Sequence, residues 1–175
     1  MSLPGIIEPL STEKHRWTDF ICEEPELNEF LHHRAVPEMA ARASACFVLV
    51  PKADPGRVVG FYTLSAATFR VTALPADLTA QWPQYPNLPA TLLGRLARDQ
   101  RLRGAGIGSL LLVSAFRRAL AGTSSIGSVA MVTDPKNARA EEFYHQRGFR
   151  RLGGSRRMFL TMRQIAVTLE KGGLA

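Results

Sequence analysis

Cysteine is nearly absent from this 175-residue chain. Cys22 and Cys46 stand far apart and outside any metal-ligand spacing, so each reads as a buried, reduced thiol. The four histidines, His15, His32, His33 and His145, show neither a zincin spacing nor a pairing with cysteine, and no structural or catalytic metal is expected. No uninterrupted apolar run is long enough to span a bilayer, so membrane insertion is not expected. The opening Met1-Ser2-Leu3-Pro4-Gly5 lacks a basic region followed by an apolar core; it does not read as a secretory leader, and a cytoplasmic protein is expected. There is no internal repeat or low-complexity tract.

Lysine is also scarce, and what replaces it is arginine: 18 Arg against 4 Lys within a formal charge of +7. Arginine grips phosphate with two donors at once. From charge alone, a polyanionic partner and a solvated basic surface stand about even. The length suits one domain with a full core, taken as residues 1–175.

A short strand is expected near Ile6 to Glu8. Pro25-Glu26 then precedes Leu27, Phe30, Leu31, Ala35 and Met39 at helical spacing, which predicts a helix bent at Pro37. Cys46 to Val50 and Val58 to Ser65, joined across a Pro-Asp-Pro-Gly turn region, predict an antiparallel hairpin. Residues 75–89 hold four prolines and read as a loop or broken helix. Thr91 to Arg98 reads as a strand. Gly104, Gly106 and Gly108 follow, and then a Leu/Ala-rich helix from Ile107 to Ala121 that stops at Gly122. Val129 to Thr133 is a further strand. Asp134-Pro135 reads as an N-cap and first-turn proline opening a helix to about Arg147, with Gly148 as its stop. Met158 to Met162 forms the last strand, and the Gly-Gly-Leu-Ala end is expected to fray.

Three glycines at alternate positions after a strand let backbone approach a ligand, and the helix that follows aims unpaired N–H groups at it. A pyrophosphate suits that arrangement; alone, a simple tight connection explains it as well. No Gly-Lys-Ser/Thr follows, and the third glycine of a dinucleotide fingerprint is misplaced, so neither the P-loop nor the Rossmann motif fits.

Leu96, five residues before Arg101, and the run Arg101-Leu102-Arg103-Gly104-Ala105-Gly106 resemble the acetyl-CoA signature of the GNAT acetyltransferase superfamily. A second block, Asn137-x-x-Ala140-x-x-Phe143-Tyr144-x-x-x-Gly148-Phe149, resembles the superfamily's helix before its last strands. The resemblance implies an α/β fold whose central twisted, mostly antiparallel sheet is splayed at the acetyl-CoA site and flanked by helices. It implies cofactor contacts from Leu96, Ala97, Arg98, Arg101, Leu102, Arg103, Gly104, Ala105, Gly106, Ile107, Gly108 and Ser109. Asn137 would lie near the pantetheine or the helix entrance, Phe143 against the cofactor or the core, and Tyr144 beside the thioester sulfur. There a phenol with pKa about 10 would serve a leaving thiolate whose thiol has pKa about 8.5.

Leu92 to Arg98 contains no carboxylate. A lysine amine, with pKa about 10.4, calls for a base, whereas an α-amine at about 7.7–8.0 needs little help. The absence therefore favours an α-amine acceptor.

Cys22 to Leu31, Gly60 to Ser65 and Leu92 to Ala97 resemble successive blocks of the GNAT toxins of bacterial toxin–antitoxin pairs, a resemblance spanning about residues 20–162. It implies acetylation of the α-amine on aminoacyl-tRNA, arrest of translation, neutralisation by a ribbon-helix-helix antitoxin, and a homodimer. Arg34, Arg42, Arg95, Arg139 and Arg147 are candidates for substrate phosphates. Asp99 keeps the family's aspartate, whereas Arg98 stands where a small apolar residue is usual. An acetyltransferase for small or peptide amines, and a non-catalytic acetyl-CoA- or RNA-binding module, are the rival readings.

Overall fold

The computed structural model of the chain describes residues 5–174; Met1 to Pro4, read above for a leader, and Ala175 at the end of the tail lie outside the described residues. In chain order the elements are β1 (Gly5–Pro9), α1 (Pro25–Glu29), α2 (Ala35–Ala40), β2 (Ala45–Pro51), β3 (Gly60–Arg70), α3 (Ala76–Thr79) and β4 (Asn87–Arg98). They continue with α4 (Ile107–Gly122), β5 (Ala130–Thr133), α5 (Ala138–His145), β6 (Arg150–Arg151), β7 (Met158–Thr161) and α6 (Met162–Glu170). The strands make one seven-stranded sheet in the order β1-β2-β3-β4-β5-β7-β6. β4 and β5 are parallel, while β1–β2, β2–β3, β5–β7 and β6–β7 are antiparallel. This is the mixed α/β sheet flanked by helices that the sequence predicts.

Contacts divide the chain into two compact units: residues 1–65 with 94–115, and residues 66–93 with 116–175. β3 and β4 contribute a stretch to each.

In the first unit, alternate residues of β2 and β3 turn Cys46, Val48, Val50 and Phe61 into one core with Leu10, Phe20, Cys22, Phe30, Leu31, Ala35, Val58 and Ala97. Phe61 is fully buried, with Phe20 edge-on at 5.4 Å and Phe30 stacked at 6.1 Å; truncating such a ring to alanine costs about 3–5 kcal/mol. Burial pushes the Cys46 thiol up to about 12 and raises that of Cys22. The predicted helix starts at Pro25, but its discontinuity is not at Pro37. Residues Phe30–Arg34 form a π turn, and Pro37 sits in the first turn of α2, where its missing N–H is harmless. The wide turn before it absorbs the bond that Pro37 cannot make, and the His32 carbonyl accepts from Trp17 Nε1 at 3.4 Å.

In the second unit the core is Phe69, Leu74, Leu88, Ala90, Ala130, Val132, Leu152 and Phe159. Residues 75–89 contain the single-turn α3, and β4 starts at Asn87, four residues before the predicted Thr91. Two elements were not predicted. β6 pairs with β7 through Arg150↔Phe159 and Arg151↔Met158, and α6 follows β7 directly, opened by a capping box between Thr161 and Gln164. The helix predicted from Asp134-Pro135 begins at Ala138 instead. Asn137 is the N-cap, its Oδ1 accepting from the Ala140 amide at 2.9 Å; Asp134 is held by Arg157 through two bonds of 2.8 Å.

Among the described residues no helix is long and apolar enough to cross a membrane, and no three His, Cys, Asp or Glu gather to hold a metal ion.

Candidate active site

The predicted cofactor segment lies in the first unit, and its loop is tied down at each step. The Asp99 amide donates to Val59 O at 2.9 Å and the Gln100 amide to Ile21 O at 2.9 Å. The Asp99 carboxylate is fully buried and accepts from the Arg101 amide at 2.9 Å, Nε at 2.8 Å and Nη2 at 2.6 Å. Burial raises the Asp99 pKa, but the bonds and charge of Arg101 outweigh it and hold the group below the ordinary carboxylate range. The Arg101 guanidinium, half exposed, thus folds back on its own loop, and among the described residues it otherwise reaches Asp19 O at 3.4 Å. Arg98 reaches Glu23 at 3.2 Å, a role for the residue that departs from the family pattern. Ala97 is buried against the core, and Leu96 is half-buried.

Beyond Leu102 the loop is open. Gly104 and Gly106 have φ of +81° and +74°, and a Cβ added at either would meet nothing within 4 Å. Such φ values suit glycine and strain other residues. The first bond of α4 runs from the Leu110 amide to Gly106 O at 3.1 Å. The amides of Gly104, Gly106, Ile107 and Gly108 donate to no group among the described residues. Buried Ile107 anchors the helix start, while Leu102, Arg103, Ala105, Gly108 and Ser109 stay at least partly accessible. Four unpartnered donors at the positive end of a 16-residue helix, beside two glycines with open space around them, fit a diphosphate.

β4 supplies a second feature. Its register with β5 covers Ala90↔Ala130 to Leu93↔Thr133 and ends there, so Gly94 to Arg98 continue without β5 as a partner.

The second unit holds Tyr144. Thr133, the last residue of β5, is buried and donates its hydroxyl to Leu93 O at 3.0 Å. Its hydroxyl also lies close enough to the Tyr144 phenol to lower the phenol's pKa. Tyr144 is 7% exposed, flanked by Phe143 at 5.2 Å and Phe149 at 5.2 Å, both edge-on. Burial pushes the phenol up to about 12, against the lowering effects of Thr133 and Arg147. Arg147 covers the Phe143 ring at 3.7 Å and donates to Phe143 O at 2.8 Å. Gly148, at φ +94°, ends the helix, and the Phe149 amide bonds Tyr144 O at 3.1 Å.

Of the arginines predicted for substrate, Arg34 and Arg95 meet. Arg95 lies 3.7 Å over the Phe30 ring and Arg34 5.7 Å from it, and both approach Glu38, at 3.9 Å and 2.9 Å. Arg42 stands apart at the C-terminus of α2 with φ +58°, the one non-glycine residue with positive φ among those described. Arg139 is exposed near the start of α5. Thr133 and the locking role of Asp99 were missed; the only local signals are a threonine closing a strand and an aspartate two residues before the motif arginine.

The sequence profile of the Acetyltransferase (GNAT) family matches residues 10–149. The chain belongs to the GNAT acetyltransferase family. Its acetyl donor is acetyl-CoA, and the glycine loop above has the donors that a coenzyme A diphosphate requires. This acetyltransferase is 35% identical over 127 residues to a tRNA-acetylating toxin of Mycobacterium tuberculosis, covering 73% of this chain and 74% of that one. AtaT complexed with acetyl-methionyl-tRNAfMet superposes with a TM-score of 0.87 at 28% identity, over 94% of this chain and 99% of AtaT. A tyrosine-to-phenylalanine mutant of AtaT, bound to the C-terminus of the antitoxin AtaR and acetyl-CoA, gives a TM-score of 0.80 at 25% identity, over 94% and 98%.

Proposed function

We propose that this acetyltransferase is a toxin that acetylates the α-amine of aminoacyl-tRNA and is restrained by an antitoxin. The observation that carries the reading is the match, over nearly the whole of both chains, to a toxin in complex with an acetylated aminoacyl-tRNA. The same reading takes residues 1–175 as one catalytic domain that works in the cytoplasm as a homodimer.

Acetyl-CoA supplies an acetyl group on a thioester. The amides of Gly104, Gly106, Ile107 and Gly108 hold its diphosphate, with Leu96 to Arg98 on the free stretch of β4 as the pantetheine and carbonyl contacts. The α-amine, with a pKa of about 7.7–8.0, is partly neutral at physiological pH and attacks without a dedicated base. The C–N bond forms as the C–S bond breaks.

Tyr144 stays protonated at any working pH because its pKa is about 12. Full transfer of its proton to a thiolate whose thiol has pKa about 8.5 is uphill by about 5 kcal/mol. The O–H therefore stabilises the negative charge growing on sulfur as a donor; the sulfur leaves as the thiol with the Tyr144 proton, and the phenolate takes up the proton that the acylated nitrogen loses. Thr133, whose hydroxyl bonds Leu93 O, is the polar neighbour that works against burial on the phenol.

Incubating the protein with labelled acetyl-CoA and total charged tRNA tests the reading. Label is expected on the α-amines of amino acids released from tRNA, and Tyr144→Phe should lower turnover about 10²–10⁴-fold, the range for loss of a positioned acid, while calorimetry still records acetyl-CoA uptake. Label confined to free amines or to protein rejects the toxin assignment.

A further inference from the structure

The two units differ completely in charge. Residues 1–65 with 94–115 carry ten Lys and Arg against ten Asp and Glu, whereas residues 66–93 with 116–175 carry twelve against five. The entire excess of +7 belongs to the second unit.

The first unit's arginines are also largely matched in place: Arg16 with Asp54, Arg34 with Glu38, Arg98 with Glu23 and Arg101 with Asp99. In the second unit the cations concentrate on the turn from β6 to β7, where Arg150, Arg151, Arg156 and Arg157 fall within eight residues. Three of them meet carboxylates on neighbouring elements: Arg150 meets Asp77 at 3.3 Å, Arg157 meets Asp134 at 2.8 Å, and Arg151 meets Glu141. These ion pairs hold the hairpin against α3 and against the entrance and first turn of α5. They are partly exposed, as the Arg16 and Arg34 pairs of the first unit are, so pairing alone does not separate the units; the surplus of cations over carboxylates does. Arg156 and Arg139 are exposed and have no ion-pair partner among the described residues. Arg139 sits in the first turn of a helix, where a cation opposes the dipole; folding gains nothing from it there. At the tip, Gly154 has open space where a side chain would stand, so a backbone can come close.

We propose that the β6–β7 arginine hairpin, with Arg139 of α5, is the surface that grips the phosphate backbone of the RNA acceptor, and that the arginines of the first unit do not. The inference rests on the aminoacyl-tRNA reading above and assigns the RNA to one unit. Arg34, Arg42 and Arg95 are thereby left outside the phosphate-binding surface.

The test measures kcat/KM on charged tRNA across a salt series for the intact protein, Arg139→Glu/Arg156→Glu and Arg34→Glu/Arg42→Glu, with acetyl-CoA uptake by calorimetry as the control for folding. The second-unit variant should lose tenfold or more in kcat/KM and show a shallower dependence on salt, by about 0.7–0.9 in the log–log slope for each phosphate contact removed. The first-unit variant should change less than about threefold and keep the slope, because it removes no phosphate contact. Equal losses in both variants, or a loss confined to the first-unit variant, overturn the proposal. So does unchanged tRNA turnover in the second-unit variant accompanied by lost affinity for an acidic antitoxin segment, which would make the hairpin a protein dock. If the intact protein itself fails to turn over charged tRNA, the substrate reading fails instead, and the two failures are distinguishable.

Discussion

The first unit uses its charges to build, and the second leaves them in excess. In the first, a buried Asp99 locks Arg101 through three bonds, and the loop that follows keeps amides without a partner among the described residues. In the second, the exposed ion pairs of the β6–β7 hairpin leave a surplus of arginine, and the one buried group of mechanistic interest, Tyr144, is neutral. A fixed backbone site and a basic surface thus place opposite demands on arginine: pairing for the first, availability for the second.

The largest effect should come from breaking the first unit's pairing. Asp99→Ala removes the buried acceptor that folds the loop, while water takes up the exposed Arg101 guanidinium; a loss of about 3 kcal/mol, about 1 for each of the three bonds removed, is expected in chemical denaturation, with a parallel loss of acetyl-CoA affinity. A smaller effect, of about 2–3 kcal/mol, should appear in the second unit's response to base. The folded phenol has a pKa of about 12 against about 10 when unfolded. Its contribution to stability is therefore complete below pH about 10 and is lost as pH rises to about 12. Subtracting a Tyr144→Phe profile from that of the intact protein should isolate this decline; superimposable profiles would refute a buried, neutral phenol. Gly106→Ala, at φ +74°, should weaken acetyl-CoA binding about tenfold through backbone strain and a methyl group at the amide cradle, read by calorimetry. Smallest, and of opposite sign, Arg42→Gly should stabilise the protein by about 0.5–1 kcal/mol. Arg42 closes α2 in the left-handed region, with its amide bonded to Met39 O and that of Ala43 to Glu38 O, a position that favours glycine. An unchanged melting temperature would remove the strain argument.

The strand, glycine loop and helix running from Thr91 to Gly122 were legible in the sequence because each depends on local rules: β-propensity, positive φ, and a glycine stop. Gly148 was legible for the same reason, whereas the cap read at Asp134 belongs to Asn137, which the family resemblance alone had placed near the helix entrance. What escaped depends on partners distant in sequence or on spacing within a short loop. Nothing local says that Arg101 will turn back onto Asp99, or that Asp134 will be claimed by an arginine 23 residues on. Pro37 marked the bend, but the backbone relieved it upstream in a π turn. α6 did carry a readable sign, a threonine followed three positions later by glutamine, hidden because the helix starts with no break after β7.

Both cysteines are shut away, and Cys46 holds its proton up to about pH 12. At neutral pH almost none of it is thiolate, the form that alkylating and disulfide reagents attack. A cysteine introduced on an exposed face, such as at Gly154 or Lys52, should accordingly take a thiol-reactive dye or crosslinker alone, without prior removal of the native pair.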